Sequence, residues 1–211
     1  MRKVLVVGTG GLAREFASQF SEDADPVEIV GFSSSSCDEH GTFGLPGMLY
    51  AGDVSPQVVG TNEAVIAIGS PLVKLRLSEM LRASGFVFPP MIHSSSLVST
   101  KANVGAGVVI APRCVISPQV EVGEFSYINF SCGIGHDAVI GKFVQINPGS
   151  QLGGRATIGD GCLIGSGSTI LQGVRVGAGS TIASGSVVFT HVAEKATMMG
   201  NPAKRMRALE E

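Results

Sequence analysis

The chain has no tryptophan and only two tyrosines, and aromatic residues make up 6% of its 211 positions. A core so poor in large rings has to be filled by aliphatic and small side chains. Charge is scarce as well: charged residues amount to 15% and the formal net charge is -2. That balance gives no basic surface for nucleic acid or for an anionic membrane, and neither is expected as a partner. No apolar run reaches the roughly 18 residues that a membrane span needs. The short apolar stretch Val4 to Val7 runs straight into a glycine turn, unlike the core of a signal peptide. A cytoplasmic protein is therefore expected. Cysteine is limited to four residues, none in a CxxC pair, and their spacing fits no zinc site. Cys37 stands alone, while Cys114, Cys132 and Cys162 fall in the C-terminal half and read as reduced, mostly buried thiols.

What the chain does have is glycine, 29 residues of it, and 44% hydrophobic residues in a strict order. Starting at Val98 and stepping by six, the chain reads Val104, Ile110, Ile116, Val122, Ile128, Ile134, Ile140 and Ile146. It continues through Leu152, Ile158, Ile164, Ile170, Val176 and Ile182 to Val188. If about half of all residues are apolar, sixteen such hits without a gap have a chance on the order of 1 in 10⁵. The residue two places before each is always Ala, Ser, Cys or Val, and glycine often follows, as at Gly105, Gly123, Gly135 and Gly141. Neither the helical period nor the strand period gives a spacing of six. A solenoid does, with each unit a short strand and a turn, and three units closing one coil. Aliphatic residues 18 apart then stack, and coils lie about 4.8 Å apart. Cys114 and Cys132, 18 apart, should stack at one corner.

Residues 3 to 88 read differently. An apolar strand (3–7) leads into Gly8-Thr9-Gly10-Gly11-Leu12-Ala13 and a helical pattern of Leu12, Phe16 and Phe20. Further strands are expected over 27–32 and 64–69, and a helix over 71–83 with Leu72, Leu75 and Leu81 on one side. This is the alternation of a small parallel α/β sheet. Pro89-Pro90 marks the junction, so the expected organisation is 1–88 as an α/β domain, 91–190 as a parallel β-helix and 191–211 as a terminal cap. The glycine turn fits G-x-G-x-x-A, in which backbone N–H groups and a helix N-terminus hold a phosphate. A nucleotide-diphosphate ligand, a nicotinamide cofactor and a purely structural turn are all compatible with it. The nicotinamide reading wants an acidic residue after the second strand, where the chain has Ser33 to Ser36.

Four histidines are present, and only His136 sits inside the repeats, in a turn and followed by Asp137. A histidine with a carboxylate beside it suits general-base work, although a solvated turn histidine has the same signature. Gly154 lies 18 residues on, so its backbone N–H should flank His136 and could serve an oxyanion. Ser166 and Ser184 form a second stacked pair at the same spacing. A metal site would need several converging histidines and the solenoid supplies one, so no metal is expected.

The segments GTGGLAREFA, AIGSPLVKLRL, INFSCGIGHDAVIGKF and GNPAKRM together resemble the sialic-acid O-acetyltransferase and bacillosamine N-acetyltransferase family. The resemblance covers nearly the whole chain. It implies a small Rossmann-like domain followed by a left-handed β-helix of hexapeptide repeats, a homotrimer, and acetyl-CoA bound between neighbouring β-helices. It further implies a nucleotide-linked 4-amino sugar as acceptor, with Gly8, Gly10, Gly11, Leu12, Ser33, Gly69 and Asn129 on the substrate side. His136 would be the base, Asp137 would orient it, and Gly154 would meet the oxyanion. Gln145, Gly165, Ser166 and Ser184 would border acetyl-CoA. The chain departs from the family in three respects: Leu12 replaces a histidine, Ser33 and Ser34 replace acidic residues, and Gln145 replaces a second histidine. A sialic-acid hydroxyl as acceptor, or a β-helix that binds a nucleotide sugar without catalysis, are the alternative readings.

Overall fold

The computed structural model describes residues 1–35, 38–52 and 54–206. The reading of Cys37 therefore lies outside the described residues. Two compact units divide between Ser94 and Ser95.

The first unit is a four-stranded parallel sheet made by β1 (Arg2–Val7), β2 (Val27–Ser33), β3 (Met48–Tyr50) and β4 (Ala64–Ile66), in the order β3-β2-β1-β4. Two helices cover it, α1 (Gly11–Ser21) and, later in the chain, α4 (Pro71–Ala83); two short helical turns, α2 (Asp38–Thr42) and α3 (Pro56–Val59), lie in the connections. α1 buries Ala13, Phe16, Ala17 and Phe20, a stripe at i, i+3, i+4 and i+7. The Phe16 and Phe20 rings stack 4.5 Å apart, and each contributes roughly 2–3 kcal/mol of burial. The edge strand β3 is not visible in the sequence pattern. It pairs with β2 because Gly31 admits the Met48 carbonyl oxygen, which would lie 2.3 Å from a Cβ at that position.

α4 forms where its Pro71 start and apolar content place it, but it turns a different face inward. Leu72 and Leu75 are exposed, and the buried stripe is Lys74, Ser78 and Leu81. The spacing 74, 78, 81 follows one helical side, whereas 72, 75, 81 drifts off it. Desolvation pulls the Lys74 amine down to about 8.

The second unit is a parallel β-helix with three faces. Face I carries Val109–Ile110, Tyr127–Ile128, Gln145–Ile146, Leu163–Ile164 and Thr181–Ile182; face II carries Leu97–Val98, Val115–Ile116, Gly133–Ile134, Gln151–Leu152, Thr169–Ile170 and Val187–Val188. Face III carries Asn103–Val104, Glu121–Val122, Val139–Ile140, Thr157–Ile158 and Arg175–Val176. Registers such as Tyr127 with Gln145 and Gly133 with Gln151 fix one coil at 18 residues. Each aliphatic residue of the repeat that lies between Ile110 and Val188 is buried to 4% exposure or less.

The corners explain the remaining repeat positions. The third residue after each aliphatic one takes a positive φ, without interruption from Gly107 to Gly185, and in seven corners it is not glycine: Arg113, Gln119, Phe125, Ser131, Asp137, Phe143 and Arg155. Glycine directly after the aliphatic residue has another cause. A Cβ on Gly135 would stand 2.5 Å from the Gly154 nitrogen, so the close approach of the next coil excludes a side chain there. The small inward residues do more than make room. Ser126, Ser150 and Ser168 donate to the carbonyls of Gly141, Gly165 and Ala183, and the thiols of Cys114, Cys132 and Cys162 reach those of Asn129, Asn147 and Gly177. Every one of these bonds spans 15 residues to the following coil, so a short inward donor ties a corner carbonyl that the strand ladder does not pair. The chain ends with Thr197–Met199 paired antiparallel to Lys204–Arg205, which covers the last coil.

Candidate active site

His136 stands at the corner between faces II and III. Its Nδ1 lies 2.7 Å from Asp137 Oδ2. Asp137 is one of the corner residues held at positive φ, 59°, and this bend lets adjacent residues face each other. With a carboxylate on Nδ1, the proton sits there and Nε2 keeps its lone pair. The Arg155 Nε is 4.0 Å from the same carboxylate oxygen. Both side chains are about half exposed, 54% and 47%, so the imidazole is open to a ligand.

Gly154 lies on the next coil against that ring: a Cβ on it would be 2.6 Å from His136 Nε2. Among the hydrogen bonds of the described residues, none has the Gly154 N–H as donor. The His136 ring and the Gly154 N–H thus share one edge of the prism. Beside them a groove of about 370 Å³ crosses face II from Arg113 and Ser131 to Gly135. Gly133 makes room there for the Gln151 side chain, whose Oε1 lies 2.2 Å from where a Cβ would be.

The other expected residues of the β-helix sit on the opposite border of face II. Asn129 is buried at the corner between faces I and II, and Gln145, buried in the strand of face I, donates through Nε2 to Asn147 Oδ1 at 3.3 Å. Gly165, Ser166 and Ser184 continue that edge, with the Ser184 nitrogen 2.4 Å from the position of a Gly165 Cβ. Within one chain, therefore, His136, Asp137 and Gly154 come together, while Asn129, Gly165, Ser166 and Ser184 form a separate edge across face II, with Gln145 in the strand of face I beside it.

In the first unit a cavity of about 380 Å³ opens at the carboxyl ends of the strands, lined by Gly8, Ser33, Ser34, Ile68, Val73 and Leu77 among others. Gly8 has φ 110°, and a Cβ would stand 3.0 Å from Ile68 Cγ1, so the ends of β1 and β4 close on each other only through glycine. The sheet order reverses between β1 and β4, the place where open α/β sheets take their ligands. Gly10 precedes α1, Gly11 and Leu12 open it, and Gly69 is exposed just beyond β4.

Sequence reasoning missed Glu39. It lies in α2, and its Oε2 accepts a hydrogen bond from Thr9 Oγ1 at 3.1 Å, while Ser34 Oγ lies 3.3 Å from the same hydroxyl. An acid six residues past β2 was the only available signal. The other histidines have structural partners. His40 is not isolated in a loop, since it packs edge-on to Phe32 at 5.7 Å. His93 Nε2 lies 3.1 Å from the Gln19 carbonyl, and His191 Nδ1 accepts the Arg175 N–H at 3.1 Å. Among the described residues no group of three His, Cys, Asp or Glu converges as a metal site would require.

A family model described as bacterial transferase hexapeptide (six repeats) matches residues 137–172 and 155–190. The acetyltransferase domain of PglB from Neisseria gonorrhoeae is 27% identical, with a TM-score of 0.86, over 98% of this chain and 100% of that one. Over nearly its whole length the chain is similar to hexapeptide-repeat acetyltransferases. The same Neisseria domain solved with acetyl coenzyme A gives 28% identity and a TM-score of 0.85, over 97% and 99% of the two chains. A histidine-to-asparagine variant of perosamine N-acetyltransferase from Caulobacter crescentus, in complex with CoA and GDP-perosamine, gives 25% and 0.85 over 98% of each chain. No curated protein sequence matches. The hexapeptide repeats and the three stacks of parallel strands support a left-handed β-helix acyltransferase. Among its described residues no helix is long and apolar enough to cross a membrane.

Proposed function

We propose that this chain transfers the acetyl group of acetyl-CoA to the amine of a nucleotide-linked 4-amino sugar, in a site completed between copies of a homotrimer. The observation that carries the chemistry is the corner of His136, Asp137 and Gly154, where a histidine Nε2 lies against a glycine whose N–H makes no hydrogen bond among the described residues. The reading gains support from full-length likeness to the Neisseria and Caulobacter enzymes.

His136 Nε2 takes a proton from the sugar amine as the nitrogen attacks the thioester carbonyl carbon. Asp137 holds the imidazole in the tautomer that can do so and steadies the imidazolium. The Gly154 N–H donates to the carbonyl oxygen as it gains charge. Collapse of the tetrahedral carbon breaks the C–S bond, and the leaving thiolate recovers the proton from His136. Amide and free CoA thiol result.

The separate edge of Gly165, Ser166 and Ser184, with Gln145 beside it, borders the pantetheine arm, and Asn129 lines the acceptor. One face of the prism separates them from His136 in a single chain, so the working site takes one edge from each of two copies. The first unit, read as a Rossmann-like domain, holds the nucleotide at its glycine turn and cavity. A soluble cytoplasmic enzyme of glycan synthesis fits these substrates.

Release of CoA thiol from acetyl-CoA, followed across UDP-, GDP- and dTDP-linked 4-amino sugars and free sialic acid, tests the proposal. Turnover with a nucleotide amino sugar alone supports it. Turnover with sialic acid alone makes the enzyme an O-acetyltransferase, and silence across the panel removes the acceptor assignment.

A further inference from the structure

The acidic residue that the sequence lacks behind β2 is brought back by the fold. α2 carries Glu39 over the glycine turn, where Thr9 donates to its carboxylate at 3.1 Å. Thr9 is itself buried, between Gly8 of the cavity wall and Gly10 at the start of α1. The carboxylate Oε2 lies 3.9 Å from where a Gly10 Cβ would be, and no side chain fills that space. One bond from Thr9 leaves most of the four or so acceptor positions of a carboxylate open.

The two sides of the turn differ in charge. Beyond Gly11, the guanidinium of Arg14 stacks on the Phe43 ring at 3.7 Å, with Nη2 3.8 Å from the position of a Gly11 Cβ. A diphosphate is drawn toward Arg14 and the amide end of α1, and is repelled from Glu39. What a carboxylate at that place takes up is a pair of neutral hydroxyl donors, which the nucleoside ribose presents as its adjacent 2′- and 3′-hydroxyls.

Resting on the nucleotide-site reading above, we infer that Glu39 receives the ribose hydroxyls of the nucleotide, so that the chain selects ribonucleotide-linked over 2′-deoxyribonucleotide-linked sugars. Ser34, which shares the Thr9 hydroxyl, helps to fix the turn against Glu39. The edge of a guanine base could also pair with a carboxylate. The ribose is favoured because Glu39 sits at the turn itself, where the sugar next to the diphosphate comes to lie.

Calorimetric titration of the full chain with UDP, 2′-deoxy-UDP, GDP and dTDP, repeated with Glu39→Ala and Glu39→Gln, tests this. The wild type should bind UDP and GDP about tenfold to a hundredfold more tightly than the deoxy compounds, the value of a hydrogen bond to a charged group. Glu39→Ala should bring UDP and 2′-deoxy-UDP within about threefold of each other, and Glu39→Gln should fall between. A thermal melt matching the wild type identifies variants that remain folded. Equal binding of UDP and 2′-deoxy-UDP by the wild type, or discrimination that survives Glu39→Ala, overturns the inference and leaves the nucleotide site standing. So does a loss confined to GDP, which would assign Glu39 to the base. Absence of binding by all four compounds overturns the nucleotide site as well.

Discussion

His136 Nδ1 and Asp137 Oδ2 are 2.7 Å apart although the residues are neighbours in sequence. In a strand they would point to opposite sides. They meet because Asp137 holds the left-handed backbone conformation of a β-helix corner, φ 59°. The same residue thus provides the bend and the carboxylate.

His136→Ala should lower kcat by about a hundredfold to ten-thousandfold, the usual contribution of a positioned base. Calorimetric binding of acetyl-CoA should stay within about twofold of the wild type. Asp137→Asn keeps shape and conformation and should cost less, about tenfold to a hundredfold, through the imidazole tautomer. Wild-type turnover in His136→Ala would remove this residue from the mechanism.

Gly154 is the position where a single methyl group separates fold from chemistry. Its Cβ would fall 2.6 Å from His136 Nε2, at an exposed ring that can swing away. Gly154→Ala should therefore reduce kcat about a hundredfold while the melting temperature stays within a few degrees. A fall in stability with turnover intact would contradict the placement of the ring.

Two kinds of glycine in the β-helix should respond differently to alanine. Gly173 has φ +70° and open space around its Cβ position, so Gly173→Ala should cost only the backbone penalty, about 1–2 kcal/mol. Gly159 would bring a Cβ to 2.6 Å from the Ala178 nitrogen, and the coil spacing must yield. Denaturant unfolding should show the larger loss at Gly159.

In the first unit the Asp23 carboxylate is almost fully enclosed, its side chain 2% exposed. Burial raises its pKa, but hydrogen bonds from the hydroxyl and N–H of Ser94 and from the N–H of Ala24, with the nearby His93, outweigh that and hold it below the ordinary value. A carboxylate lowered in the folded state adds stability above its unfolded pKa, near 4, and loses it as the pH falls through the folded value. Asp23→Asn should thus be destabilised relative to wild type at pH 7, by on the order of 1 kcal/mol, with the gap closing below about pH 4. Urea unfolding of both proteins across pH 3 to 7 measures it.

The β-helix was legible because its signal is local and repeated. Sixteen aliphatic residues at a spacing of six leave one way to bury them all, and the stacks at 18 follow. The pairing of His136 with Gly154 came from the same arithmetic. Glu39 was not legible, because its meeting with Thr9 depends on how the segment after β2 packs, across 30 residues of chain. The inward turn of Lys74 was hidden by leucines nearby that mark a false stripe.

The amino-acid sequence by itself determined the coil, its register, the place of His136 on a corner and that of Asn129 and Ser166 on the neighbouring one. Periodic burial leaves those features no alternative. Tertiary structure alone decided that serine and cysteine donate to carbonyls of the following coil, and that an acid stands over the glycine turn. Such relations are set by which edges of a prism and which ends of a sheet come together, and no spacing along the chain encodes them.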